Sequence, residues 1–131
     1  MTLADIYQAH GAQLASDSIP LHFGDLRAEY TAALNSAILL DRSHEALLQM
    51  EGRDRLELPN RMSTNELLDL TRGTGRPTIF TNPTGRIIDR VVIVAHSDDT
   101  AWMLGGPGRG EALHAYLQRN IFFNDQVTLT N

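Results

Sequence analysis

The residues of this sequence best placed to do chemistry sit in one run, Arg86 to His96. The run is rich in branched side chains, which favours a strand. In a strand, successive side chains point to opposite faces. Ile87, Asp89, Val91, Ile93 and Ala95 then share one face, and Ile88, Arg90, Val92, Val94 and His96 share the other. Asp89 and Arg90 are therefore charged groups set among apolar neighbours on opposite faces. A charge on a buried face is costly unless paired, so each needs a partner or an edge. Two readings stay open: a solvated strand end or structural ion pair, and a charge presented to a pocket.

Other segments carry weaker signals. Gly105-Gly106-Pro107-Gly108-Arg109-Gly110 follows one expected strand and precedes a helix. Backbone N–H groups at such a junction can hold an anion with help from the helix dipole. Pro107 removes one donor, and no Gly-Lys-Ser/Thr follows, so a connecting loop is the preferred reading. His10, His22, His44, His96 and His114 include no pair at metal-ligand spacing and read as packing or surface residues, with no metal expected. Ser43 beside His44 lacks the glycine elbow of a nucleophile. Trp102 reads as core.

The elements that must position these groups follow from periodicity and turn chemistry. Thr2 and Asp5 mark a helix start, and Leu3, Ile6, Tyr7, His10 and Leu14 continue at helical spacing. Ser16 to Gly24 is irregular or briefly extended. Asp25 opens a second helix with Leu26, Tyr30, Ala33, Leu34 and Ala37 on one stripe. Ile38-Leu39-Leu40 reads as a strand, and so does Ala46 to Glu51, which Gly52 ends. Arg53 to about Met62 is a weak helix that Pro59 should distort. Pro77 to Thr81 is a strand, Asn82-Pro83-Thr84-Gly85 a type I turn, and Thr100 to Leu104 a strand that returns along Arg86 to His96. Glu111 to Ile121 is a helix with Leu113, Tyr116, Leu117 and Ile121 inward, and Gln126 to Thr130 is a last strand. From residue 46 onward the order is strand, helix, three antiparallel strands, helix, strand. The expected fold class is α+β, an antiparallel sheet with helices on one face, close to a ferredoxin-like module. Residues 1–45 form a separate amino-terminal segment that does not complete a layer, and residues 46–131 form the α+β domain.

Composition narrows the function classes. The 131 residues, 42% hydrophobic and 21% charged, match a globular protein with a core of its own. There is no cysteine, which excludes a disulfide framework, a thiolate metal or iron–sulfur site on this chain, and thiol nucleophiles. All 11 basic residues are arginine, so a Schiff-base lysine and a P-loop lysine are excluded too. The net charge of −5 and the scattered arginines argue against a nucleic-acid partner. No run approaches the ~20 apolar residues of a membrane span, and the start lacks the charged region of a secretory signal. No membrane partner and a cytoplasmic location are expected.

Several segments, taken in order, resemble one family. Ile19-Pro20-Leu21-His22-Phe23-Gly24-Asp25 with Glu29-Tyr30 resembles the entry segment and first long helix of glycine-cleavage T-protein (aminomethyltransferase)/YgfZ folate-binding proteins. Leu39-Leu40-Asp41-Arg42-Ser43-His44 is similar to their Phe-Asp-x-Ser-His stretch. Gln49-Met50-Glu51-Gly52-Arg53-Asp54 resembles their strand and Gly-x-Asp entry to a helix, and Ser63-Thr64-Asn65 their Leu-Thr-Asn helix end. Asn82-Pro83-Thr84-Gly85-Arg86-Ile87-Ile88-Asp89 resembles their Asn-x-x-Gly-Gly-Ile-x-Asp hairpin. Each motif is short, and their order along the chain carries the resemblance.

The resemblance implies a three-domain ring with tetrahydrofolate near its centre, of which this chain would be the first portion. It implies folate contacts at Asp89, Arg90, Val92 and Asn65. Folate is then a partner, as is either the rest of a family-length protein or another copy of the chain. Departures from the family pattern shape the expected function. Arg90 stands where transferases carry a second acid, Pro77 where they carry an aromatic, and Gly106 where they carry a polar residue. An always-protonated guanidinium cannot accept a proton as a carboxylate can. The expectation is a folate-binding scaffold without aminomethyl transfer and with no catalytic residue, in the branch linked to iron–sulfur enzyme maintenance. The alternatives are an aminomethyltransferase of the glycine cleavage system and a small non-catalytic interaction domain.

Overall fold

The computed structural model describes all residues from Met1 to Asn131. The chain divides into two compact units, Met1–His44 and Glu45–Asn131.

In the first unit, helix α1 (Leu3–Ala9) begins in a capping box: the Thr2 hydroxyl accepts the Asp5 amide, and the Asp5 carboxylate accepts the Thr2 amide at 2.7 Å. The helical spacing that continues to His10 and Leu14 does not extend the helix. Gly11 turns the chain at φ +82°, a conformation glycine adopts freely. Leu14 instead lies in β1 (Gln13–Leu14), paired with β2 (Pro20–His22). Helix α2 (Leu26–Asn35) is capped by Asp25, whose carboxylate accepts the Ala28 amide at 2.9 Å. Ile38-Leu39-Leu40 is not a strand, because no neighbour pairs its backbone. No residue of this unit is fully buried, and Leu26, Tyr30 and Leu34 form an exposed stripe along α2.

The second unit has the expected α+β order. Its strands are β3 (Glu45–Glu51), β4 (Gly75–Thr81), β5 (Ile87–Ala95), β6 (Thr100–Pro107) and β7 (Thr128–Thr130), in spatial order β4-β5-β6-β3-β7 with every pair antiparallel. Without β4 this is a ferredoxin-like sheet, so β4 is an added edge strand. Helices α3 (Glu57–Asn60) and α4 (Gly110–Gln118) contribute Leu58, Leu113 and Leu117 to one face, where Leu48, Met50, Phe80, Val91, Ile93 and Met103 complete the core. The outer edge of β4 is covered, since Ser63 bridges Phe80 and the Thr64 amide donates to the Ile79 carbonyl at 3.1 Å. No helix is long and apolar enough to cross a membrane.

Three local departures from the sequence reading have physical causes. The helix expected over Arg53 to Met62 shrinks to one turn. Asp54 is held at its start by backbone and side-chain bonds to Gln126, and Pro59 lacks a donor inside the turn. The glycine run does not begin a loop at Gly105, because β6 continues to Pro107 and Gly105 pairs with Ala46. The pairing of β4 with β5 shifts between Phe80 and Thr81, leaving Ile88 unpaired between Ile87 and Asp89. At this irregularity strict alternation fails, and Ile88 packs against the core on the side Asp89 occupies.

Candidate functional site

The sheet of the second unit has one face under α3 and α4 and another that is only partly covered. Period-2 alternation along β5 and β6 places Arg90, Val92 and Val94 beside Trp102, Leu104 and Gly106 on the second face. The register joins Pro77 to Val92, Val92 to Leu104 and Leu104 to Leu47, so an apolar row crosses four strands. Ile79 pairs with Arg90 and Trp102 with Gln49 in the adjoining rows. Val92, Leu104 and Trp102 are half-buried, while Pro77, Arg90 and Leu47 are exposed. Trp102 is thus not a core residue. It stacks on His96, with ring centroids 3.8 Å apart.

The two charges of β5 part company. Asp89 turns to the helix side, where its Oδ2 accepts Arg109 Nε at 2.7 Å and its side chain is 12% exposed. This ion pair ties β5 to the residue before α4. Arg90 faces the open side, and no ion pair or hydrogen bond holds its guanidinium. Asn65 sits at the β4 edge, donating from Nδ2 to the Pro77 carbonyl and from its backbone to Thr78 Oγ1 at 3.3 Å. The structure therefore groups Arg90 and Val92 on one face, sets Asn65 at its rim, and turns Asp89 to the opposite side. The positions noted as departures, Pro77, Arg90 and Gly106, converge on this one face. Leu47 and Leu104 share it and were missed, because Ala46-Leu47-Leu48 is apolar throughout and its local pattern does not separate the two faces.

The remaining motifs act as structural fittings. Asp41 accepts the Ser43 amide at 2.8 Å and the Tyr7 hydroxyl at 2.9 Å. The Ser43 amide is the main reason the Asp41 carboxyl lies below its ordinary value, and the bond to Asp41 raises the Tyr7 phenol. The Asp-x-Ser-His stretch is thus a side-chain-capped turn fastened to α1. Gly52 adopts φ +116°, and a Cβ there would stand 2.3 Å from the Gln126 carbonyl oxygen. Asp54 accepts the Gln126 amide at 2.8 Å. The Arg53 guanidinium, and then that amide, hold its carboxyl down at about 2. Gly-x-Asp is therefore a clasp on the chain leading into β7. Asn82 Oδ1 accepts the amides of Thr84 and Arg86 and fixes the β4–β5 turn.

Residues 3–131 match the family model described as the GCVT N-terminal domain. The chain belongs to this family. An aminomethyltransferase of Bacillus velezensis is 27% identical over 98% of the chain, which spans 36% of that protein. The mitochondrial aminomethyltransferase of Pisum sativum is 28% identical over 91% of the chain and 30% of its own length. The crystal structure of glycine cleavage system aminomethyltransferase T from Bartonella henselae superposes with a TM-score of 0.76 at 20% identity, covering 97% of this chain and 36% of that one. That likeness carries the fold. The chain spans about a third of the length of these relatives.

Proposed function

We propose that this GCVT-type chain supplies one wall of a reduced-folate site on the open sheet face of its second unit, and that Arg90 leaves that wall unable to support aminomethyl transfer. The observation that carries the reading is the convergence of Pro77, Arg90 and Gly106 on a single half-exposed face. The row Pro77, Val92, Leu104 and Leu47 suits the flat body of a pterin, since ligand sites are mostly apolar with a few placed polar groups. Gly106 adds no side chain to this face, and Asn65 stands at the rim. When bound, tetrahydrofolate supplies the nitrogen that takes up the one-carbon unit. Arg90 can hold an anionic part of the ligand or repel a cation there, but it cannot accept a proton. Asp89, engaged with Arg109 on the far side, is an indirect contributor that fixes β5.

A second reading, aminomethyl transfer itself, is favoured by the names of the relatives. An iron–sulfur maintenance role draws no support from those relatives. Turnover of a lipoyl-carried aminomethyl group with tetrahydrofolate decides between the first two. The expected result is no turnover above background, and Arg90→Ala should change tetrahydrofolate binding more than Asp89→Asn does. Turnover by the unaltered protein would establish the second reading.

A further inference from the structure

On the helix side of the sheet, away from Arg90 and Val92, the second unit holds a cavity of about 700 Å³ between the turn after α3, the β4–β5 hairpin and α4. Three of the chain's arginines, Arg61, Arg109 and Arg119, line it, and no carboxylate does. Asp125 and Asp89 pair with Arg61 and Arg109 from behind the wall, so Arg119 carries the uncompensated charge. The three guanidiniums are held differently. Arg61 is tied to Asp125 and the Asn120 carbonyl, and lies 4.5 Å over the Phe122 ring. Arg109 is anchored through Nε alone to Asp89, which leaves both terminal nitrogens, and so its outer fork, without a protein partner. Arg119, at the end of α4, is exposed and makes no ion pair.

We infer that this cavity binds the phosphate group of a small molecule, with the Arg109 fork and Arg119 as its cationic arms and Met62 and Ile88 packing the body of the ligand. A guanidinium fixed at Nε presents a planar pair of donors that matches a phosphate edge bidentately. The volume falls in the range of small-molecule sites. Ser63 borders the cavity, and its Oγ is buried without a hydrogen-bond partner. A buried polar atom without a partner is uncommon in folded proteins. The inference is independent of the folate reading, which concerns the opposite face of the sheet.

The test is a titration of the full chain at constant ionic strength, followed by backbone amide NMR, with inorganic phosphate, phenyl phosphate and succinate as probes. Saturable shifts confined to residues 61–63, 81–88 and 109–120 are expected with phenyl phosphate, and weaker ones with phosphate. Arg119→Gln should weaken phenyl phosphate binding about tenfold, the effect of losing one charge-assisted contact. Arg72→Gln, which removes an exposed charge elsewhere, should leave it unchanged, and both variants should melt like the parent. The inference is overturned by shifts that do not saturate or that map elsewhere. It is equally overturned if succinate binds as tightly as phenyl phosphate, or if Arg119→Gln and Arg72→Gln weaken binding equally.

Discussion

Gly52 and Asp54 show how much of a short motif is packing rather than chemistry. Any Cβ at residue 52 meets the Gln126 carbonyl and also demands a positive φ from a residue that resists it. Gly52→Ala is expected to destabilise the protein by roughly 2–4 kcal/mol, the combined scale of backbone strain and a forced backbone shift, read as a lower urea midpoint. Asp54 gives a pH signature. Its folded-state carboxyl titrates at about 2 rather than 3.8, so its stabilising contribution is complete above about pH 4 and is lost as pH falls through about 2. In Asp54→Asn, stability should therefore decline less steeply between pH 4 and 2 than in the parent. Asn can still accept the Gln126 amide, which separates the charge effect from the hydrogen bond. Equal acid slopes in urea titrations would show that the Arg53–Asp54 pair is too exposed to matter.

Between elements, the contact of α4 with β6 explains the paired glycines. A Cβ on Gly105 would come within 2.5 Å of Leu113 Cδ1, whereas one on Gly106 meets nothing closer than Arg109 Cγ at 3.6 Å. Gly105→Ala should cost about 1–2 kcal/mol, since Leu113 must move inside a packed core, while Gly106→Ala should stay within about 0.5 kcal/mol of the parent. Chemical denaturation of the two variants side by side checks the difference. Central pairing gives a second expectation at this scale. Val91, Ile93 and Ala95 of β5, with Ala101 and Met103 of β6, are buried between paired neighbours. Their amides should exchange among the slowest in the chain, and the β1–β2 amides among the fastest. Rapid exchange across Val91 to Val94 would contradict this architecture.

Across the whole molecule the two units differ in self-sufficiency. Every fully buried residue belongs to the second unit, whereas the first exposes Leu21, Leu26, Tyr30, Leu34, Leu39 and Leu40. Apolar surface on that scale favours association. The chain by itself is expected to form dimers or larger species in light scattering, and to bind tetrahydrofolate weakly. The relatives are about three times as long, and a ligand site encloses most of its ligand. A monodisperse monomer with micromolar folate affinity would show that the second unit's open face is sufficient alone.

The sequence alone determined what depends on local chemistry and strict period. Thr2 and Asp25 marked helix starts because a side-chain oxygen must meet an orphan amide within three residues. Asn82 to Gly85 marked its turn, and Val91 to Ala95 marked a strand because branched residues pack on a pleated surface. These sufficed for the α+β order and, with the ordered motifs, for the family. Tertiary structure decided whatever depends on a distant partner. Ile38-Leu39-Leu40 has strand-like residues and no strand, since pairing needs a neighbour that local pattern does not reveal. Trp102 left the core because Ala101 and Met103 took the helix-side positions. The irregularity at Ile88 moved one side chain across the sheet, and Arg109, 20 residues away, supplied Asp89 with an ion-pair partner. Arg61, Arg109 and Arg119 are spread over 58 residues of sequence, and only the packing of α4 beside the β4–β5 hairpin brings them to one cavity.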